Sequence, residues 1–382
     1  MELETMSKTT FIIGALAVFA GVFGALQFDE WLDRRKDAAA LDADPSLLRN
    51  VAIEESSQAG APDFRAAAKK VIPSVVSVDQ YRRMESFFGE DMGLRESGSG
   101  SGVIISTNGT IVTNHHVVAG AESVKVRLSD GRALDARVLG TDQRTDLAVL
   151  KVEASNLSPI ELGDNTKLEI GQWVVAVGNP LGFSNTVSVG VVSSLNRSLP
   201  LPGSILVNGI QTDAAINPGN SGGALTDAAG RLIGINSAIA SNNAGSVGIG
   251  FAIPVNRVRR VVSDIVKYGQ TRDGILGVNF EPRFDGLLES PNGRRQLQEV
   301  TRTEQVPEFG VIVTQAAEPA VAAGIGRFSV ILEIDGKKVT DSISLNQALI
   351  DRVPGEKVKV KFWTRGQTRT ADIVLAARPS RI

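Results

Sequence analysis

His115 and His116 are the only imidazoles in the 382-residue chain. A side chain that exchanges protons near neutral pH is therefore sought in this pair first. Further along, Gly219-Asn220-Ser221-Gly222-Gly223 places a serine among glycines. A tight turn there exposes the hydroxyl, and neighbouring backbone N–H groups can converge as an oxyanion hole. Between the two lies Asp146, directly before the apolar run Leu147-Ala148-Val149-Leu150. A carboxylate at the start of a buried strand can accept an imidazole N–H and fix its tautomer. Asp130, Asp135 and Asp142 are alternatives, in turn-like and solvated positions. Together these types fit nucleophilic acyl transfer, with the imidazole drawing the proton from serine. The chain has no cysteine, which excludes disulfides, thiolate metal sites and cysteine nucleophiles. With two histidines a His-rich metal site is a poor fit, so neither metal nor cofactor is expected.

Chain order narrows the chemistry. The serine string also satisfies G-x-S-x-G, the nucleophile elbow of α/β-hydrolases. That fold needs its histidine after the serine, and none follows Ser221. The order present is His, Asp, Ser, as in trypsin-like enzymes. An esterase of the α/β-hydrolase type is thereby disfavoured. Chemistry alone does not choose between His115 and His116.

Positioning such groups calls for a rigid scaffold, and the middle of the chain reads as β structure. Strands are expected at 74–78, 103–106, 110–113, 147–150, 173–177, 186–193, 231–239 and 247–253. Asn108-Gly109 forms a hairpin turn, and Val124, Val126 and Leu128 alternate with Lys125 and Arg127. Short strands at this spacing, rich in glycine turns, predict a sandwich or a pair of barrels. One helix closes the segment: Pro254 starts it, Val255, Val258, Val262, Ile265 and Val266 form its apolar face, and Gly269 stops it.

The rest of the chain frames this part. Length implies two folded domains with extras. The net charge of −2 gives no general pull toward nucleic acid. Residues 10–28, after a short tail at 1–9, are apolar enough to span roughly 27 Å as a helix. They read as a membrane anchor, or else a signal sequence, and Lys8 on one side with Arg34, Arg35 and Lys36 on the other leaves the orientation open. Residues 29–62 carry eight acidic and four basic residues and read as a flexible linker.

Thr113–Val118, Thr145–Leu150 and QTDAAINPGNSGGAL over 211–225 resemble the three signatures of the HtrA/Deg family of serine proteases. The spacing also resembles that family, with 30 residues from His116 to Asp146 and 75 from there to Ser221. The resemblance implies a trypsin-like double β-barrel over residues 63–269, with His116, Asp146 and Ser221 as the triad. It selects His116, the second residue of the pair, as the base. Gly219, Asn220 and Ser221 would supply oxyanion donors. Ala215 stands where trypsin-like enzymes place an acidic specificity residue, so Lys/Arg preference is not expected. With Ile216 and Ile239 implied as pocket walls, cleavage should follow small or medium aliphatic residues. Asp213 reads as a brace of this loop. Leu195–Leu206 resembles the family's regulatory loop, in which Arg197 would link a sensing domain to the oxyanion hole.

Residues 270–379 resemble a PDZ domain. Ile275, Leu276, Gly277 and Val278 would form its carboxylate-binding entry, and Leu345 and Leu349 would line an apolar pocket with them. Two departures stand out: a polar insert at 281–309, read as a long loop, and Phe328-Ser329 in place of the usual Gly-Asp. The resemblance implies a homotrimer that handles unfolded or regulatory proteins in extracytoplasmic quality control, modulated by C-terminal peptides. An alternative is a chaperone-like peptide binder in which proteolysis is secondary.

Overall fold

The computed structural model describes residues 63–85, 91–180, 185–201, 204–237 and 248–378. The expected anchor and linker, and Ile239, lie outside the described residues. Among the described residues no helix is long and apolar enough to cross a membrane.

A short helix α1 (Arg65–Val71) leads into β1 (Val75–Glu85), β2 (Asp91–Ile104), β3 (Thr110–Thr113), β4 (Ser123–Arg127), β5 (Ala133–Asp142) and β6 (Leu147–Lys151). These strands close into a barrel in the order β1-β2-β3-β6-β5-β4, which removes every unpaired edge. Alternation holds where one face meets solvent: Val124 and Val126 are buried while Lys125 is exposed. The continuous run Leu147–Leu150 is wholly buried. The β2–β3 turn is at Asn108-Gly109 as read. Gly109 has φ +88, and a Cβ there would run into the Val152 carbonyl, so only glycine fits.

β7 (Trp173–Gly178), β8 (Thr186–Leu201), β9 (Ser204–Thr212), β10 (Ala224–Asp227), β11 (Leu232–Ser237) and β12 (Gly250–Pro254) close a second barrel in the order β10-β11-β12-β9-β8-β7. The segment read as a regulatory loop is mostly the outer half of the β8–β9 pair, with register shifts that loosen it. Its proline and leucine residues hid the strand pattern.

α3 (Val255–Tyr268) follows, after α2 (His115–Val118) in the first barrel. Gly269 stops α3 in the left-handed region at φ 73, its N–H donating to Ile265 O. The buried face is Val255, Val258, Val261 and Ile265. Val255, Val258 and Ile265 are buried as expected and Val262 packs at the margin of the core, whereas Val266 is exposed and Val261 takes its place on the buried face.

The C-terminal part forms its own core. β14 (Val278–Phe280), β15 (Val311–Ala316), β16 (Val330–Ile334), β18 (Lys357–Thr364) and β19 (Gln367–Val374) lie side by side in that order, with β14 at the edge. β17 (Lys337–Lys338) pairs with β16, and β13 (Gly274–Ile275) with β20 (Ala376–Ala377). Helix α5 (Ser342–Leu349) starts at a capping box on Asp341.

The polar insert is not a long loop. It contains α4 (Pro291–Thr301), whose N-cap Ser290 accepts from the Gly293 N–H. Leu288 and Leu297 pack on Ile312, Val330, Leu332 and Trp363. Two buried leucines among polar residues gave no helical stripe, but Ser290-Pro291 is an N-cap followed by an N1 proline and could have located it. Phe328 takes φ +66, and Ser329 is buried, its hydroxyl bonded to Thr364 Oγ1 at 3.0 Å.

Arginines tie the barrels to this last part. Arg144 meets Asp273 at 2.6 Å and the Ile350 carbonyl at 3.2 Å. Arg257 forms a two-pronged pair with Asp351 at 2.9 and 3.2 Å. Arg260 donates to the Ile350 carbonyl at 2.9 Å.

Candidate active site

The site lies where the two barrels meet. β3 ends at Thr113, and the buried Asn114 leads into the single turn α2. That turn is held against the loop before β6. The His115 N–H donates to the Asp146 carbonyl at 3.1 Å, as does Asn114 Nδ2 at 2.9 Å. The His116 N–H donates to Asp146 Oδ1 at 3.0 Å. Asp146 Oδ2 then lies 2.8 Å from His116 Nδ1. A carboxylate only accepts, so the proton sits on Nδ1 and the Nε2 lone pair is left for a reacting group. Asp146 reaches this position with φ +57, a left-handed backbone that Asp tolerates better than most residues.

The alternative acids are engaged elsewhere. Asp142 braces the same loop, accepting from the Arg144 N–H at 3.1 Å and from Thr145 Oγ1 at 2.6 Å. Asp130 pairs with Arg132 at 2.8 Å. Asp135 faces solvent near Lys125, at 3.8 Å.

His115 points into a different setting. Its Nδ1 is buried without a hydrogen-bond partner among the described residues. Burial, the largest cause, pushes its imidazole below the ordinary value; the Asp146 charge opposes this and His116 adds to it. The unfolded chain therefore takes up a proton near pH 6.5, while the folded chain does so only at lower pH. Stability is full above that range and falls as the pH drops into it. Tm measured from about pH 7 down to 5 should thus decline less steeply in His115→Gln than in the parent. Parallel curves would contradict this assignment.

The serine arrives from the second barrel. Asn220 N–H donates to Asn217 O at 3.0 Å, Gly223 N–H to Asn220 O at 2.9 Å, and Gly222 N–H to Asn236 O at 2.9 Å. The Asn220 N–H thus closes the turn and does not point into an oxyanion hole. That corrects the expectation that all three amides contribute. Gly219 and Gly222 both take positive φ, +97 and +82. A Cβ on Gly222 would collide with Ser101 O and Thr113 Oγ1, and would stand 3.2 Å from Asn114 N. Ser221 therefore sits beside the residues that lead to the histidine pair. Asn114 lies within the signature at Thr113–Val118, but Ser101 and Asn179, bonded to each other at this junction, carried no recognisable signal in the sequence.

Comparisons with known proteins place the chain among proteases. The trypsin-like peptidase domain family matches residues 100–235, and the PDZ domain family matches residues 274–375. The chain is 37% identical over 369 residues to a DegP-like periplasmic serine endoprotease of Halomonas elongata, covering 87% of this chain and 75% of the relative. It is 34% identical over 387 residues to the periplasmic pH-dependent serine endoprotease DegQ of Escherichia coli, covering 97% and 79%. The chain belongs to the HtrA/Deg family of serine endoproteases. A solved HtrA-type protease, AlgW with a decapeptide, superposes with a TM-score of 0.66 at 35% identity, covering 84% of this chain and 100% of that one.

The remaining expected residues of this HtrA/Deg protease fall into three places. Near Ser221, the Ala215 carbonyl accepts from Ser188 Oγ at 2.7 Å and Ile216 is buried. Gly250 lies against Ile216, where a Cβ would come within 2.9 Å of its Cδ1. Asp213 braces the loop as read, accepting from the Val191 N–H at 2.6 Å. Arg197 is exposed on β8; its neighbour Ser198 makes the bond to the PDZ domain, its hydroxyl accepting from Gln347 Nε2 on α5 at 2.5 Å. In the PDZ domain, Leu276 and Leu345 are buried core residues, with Val278 and Leu349 packed at the margin of that core. Ile275 is half-buried, and Gly277 takes φ +81, its carbonyl accepting from Ala317 N–H at 2.7 Å.

Proposed function

We propose that this protease cleaves unfolded or regulatory proteins in the periplasm through His116, Asp146 and Ser221. The observation that carries the assignment is the Asp146–His116 pair, with its carboxylate bound to both Nδ1 and the backbone N–H of one histidine. His116 Nε2 takes the Ser221 proton as Oγ attacks the peptide carbonyl. The Gly219 and Ser221 amides receive the oxyanion. The imidazolium then protonates the leaving amine, and water releases the acyl-enzyme. Ala215 and Ile216 present no charge to the substrate side chain, which favours small or medium aliphatic residues before the cut.

The edge position of β14 supports capture of a C-terminal peptide as an added strand, next to Gly277. Ser198 and Arg197 lie on the route from that domain to the protease barrels. A homotrimer anchored by residues 10–28 completes the reading. The test is hydrolysis of unfolded casein after treatment with a fluorophosphonate. One label per chain should appear on Ser221, with activity lost in proportion, and hydrophobic C-terminal peptides should raise the rate of untreated enzyme. A label on another serine, with activity lost, would overturn the triad. No response to any peptide would remove only the PDZ coupling.

A further inference from the structure

The Ser101 side chain stands on the first barrel yet grips the serine loop of the second. It lies on β2, fully buried, and every polar group it has is engaged. Its N–H donates to Ser221 O at 2.8 Å. Its hydroxyl donates to Gly219 O at 2.6 Å and accepts from the Asn179 N–H at 2.8 Å. Its carbonyl accepts from Thr113 Oγ1 at 2.6 Å. The polarity is fixed: an amide N–H can only donate, so the single hydroxyl proton goes to the Gly219 carbonyl.

We propose that Ser101 is a positioning residue for peptide hydrolysis, holding the peptide planes around Ser221 so that the Gly219 and Ser221 amides face the developing oxyanion. This rests on the reading of Ser221 as nucleophile and of those two amides as donors. The Gly219–Asn220 plane is pinned at one end by the Ser101 hydroxyl and at the other by Asn217 O. The Ser221–Gly222 plane is pinned by the Ser101 N–H and by Asn236 O. The amide of Ser221 lies between these planes and has little freedom to turn. Gly219 is in a left-handed conformation at φ +97, which glycine enters and leaves easily unless restrained. Through Thr113 the same residue holds the strand that leads to His116, so the registry between base and nucleophile passes through it. Oxyanion donors act by being aimed before the reaction. A residue that aims them should affect kcat and leave substrate capture alone.

The experiment uses the full chain with Ser101→Ala, Ser101→Cys and Ser221→Ala, assayed on a fluorogenic peptide. In Ser101→Ala, kcat should fall about tenfold or more, with KM within about twofold. Affinity for a peptidyl boronate, whose adduct is tetrahedral and anionic, should weaken by a similar factor, while affinity for the cleaved product peptide stays the same. Circular dichroism melting establishes that the variant is folded. Should it not fold, Ser101→Cys keeps the volume with a weak donor and carries the same expectation. A folded variant with kcat and boronate affinity within twofold of the parent overturns the proposal. So does failure of both variants to fold, which would make Ser101 a stability residue only. An active Ser221→Ala would instead remove the nucleophile reading itself, and is read separately.

Discussion

His116→Ala should lower kcat about ten-thousandfold or more on a fluorogenic peptide, while His115→Ala should stay within about fivefold of the parent. The two residues are adjacent and chemically identical, so the contrast tests geometry alone. Only the His116 ring meets the Asp146 carboxylate, at 2.8 Å. His115 contributes its backbone N–H to the Asp146 carbonyl, and alanine keeps that bond. On the proposed triad, removing the His116 ring takes away the general base, and the weakly nucleophilic Ser221 hydroxyl must then react without it. Ser221→Ala should cost as much, and the double variant no more than either single one, because the groups act as a unit. Equal losses in the two histidine variants would reassign the base.

Asp146→Asn should reduce kcat at neutral pH by about ten-thousandfold with little change in fold. Asparagine accepts the left-handed backbone at φ +57 and fits the same volume. It replaces one accepting oxygen by an NH2 group. With its carbonyl on the His116 N–H, the amide donor faces Nδ1 and draws the imidazole into the opposite tautomer, placing the proton on Nε2. The base would then present a hydrogen to Ser221 where it needs a lone pair. Asp142→Asn is the companion control. Asp142 is also buried, but it holds Arg144 and Thr145, so its loss should appear mainly in Tm. If Asp142→Asn matched Asp146→Asn in kcat, the loop as a whole and not the tautomer would be responsible.

Much of this site was legible because its chemistry forces residue types. A base near neutrality had two candidates, and the tight turn of the proposed nucleophile left its glycines at 219 and 222. The barrels were legible through period-two alternation in β4 and the unbroken apolar run of β6. What stayed hidden depends on hydrogen bonds between distant backbone groups. Gly98-Ser99-Gly100-Ser101-Gly102 has the composition of a loose linker, yet it forms part of β2, because its glycines let other elements approach: a Cβ on Gly100 would meet Val117 and stand 3.2 Å from Ser221 O. The engaged N–H of Asn220 could not be read either, since turn closure by Asn217 O leaves no mark in residue type. In the C-terminal domain, α4 buries a single large apolar side chain, Leu297, so its sequence carried no apolar stripe.

The seam made by Arg144, Arg257 and Arg260 bears on how such chains can recombine. The natural breakpoint for exchanging one PDZ domain for another lies just after Gly269, where the helix stops. Asp273 and Asp351 lie beyond that point, and three arginines they meet, Arg144, Arg257 and Arg260, lie before it. A crossover there separates cations from their counter-ions, and one of those cations sits two residues from Asp146. A foreign domain would have to bring carboxylates at matching positions or leave guanidinium groups stranded against the loop that orients the base. An exchange at Gly269 that carries Arg144, Arg257 and Arg260 over unchanged is therefore expected to cost stability unless the incoming domain restores both carboxylates.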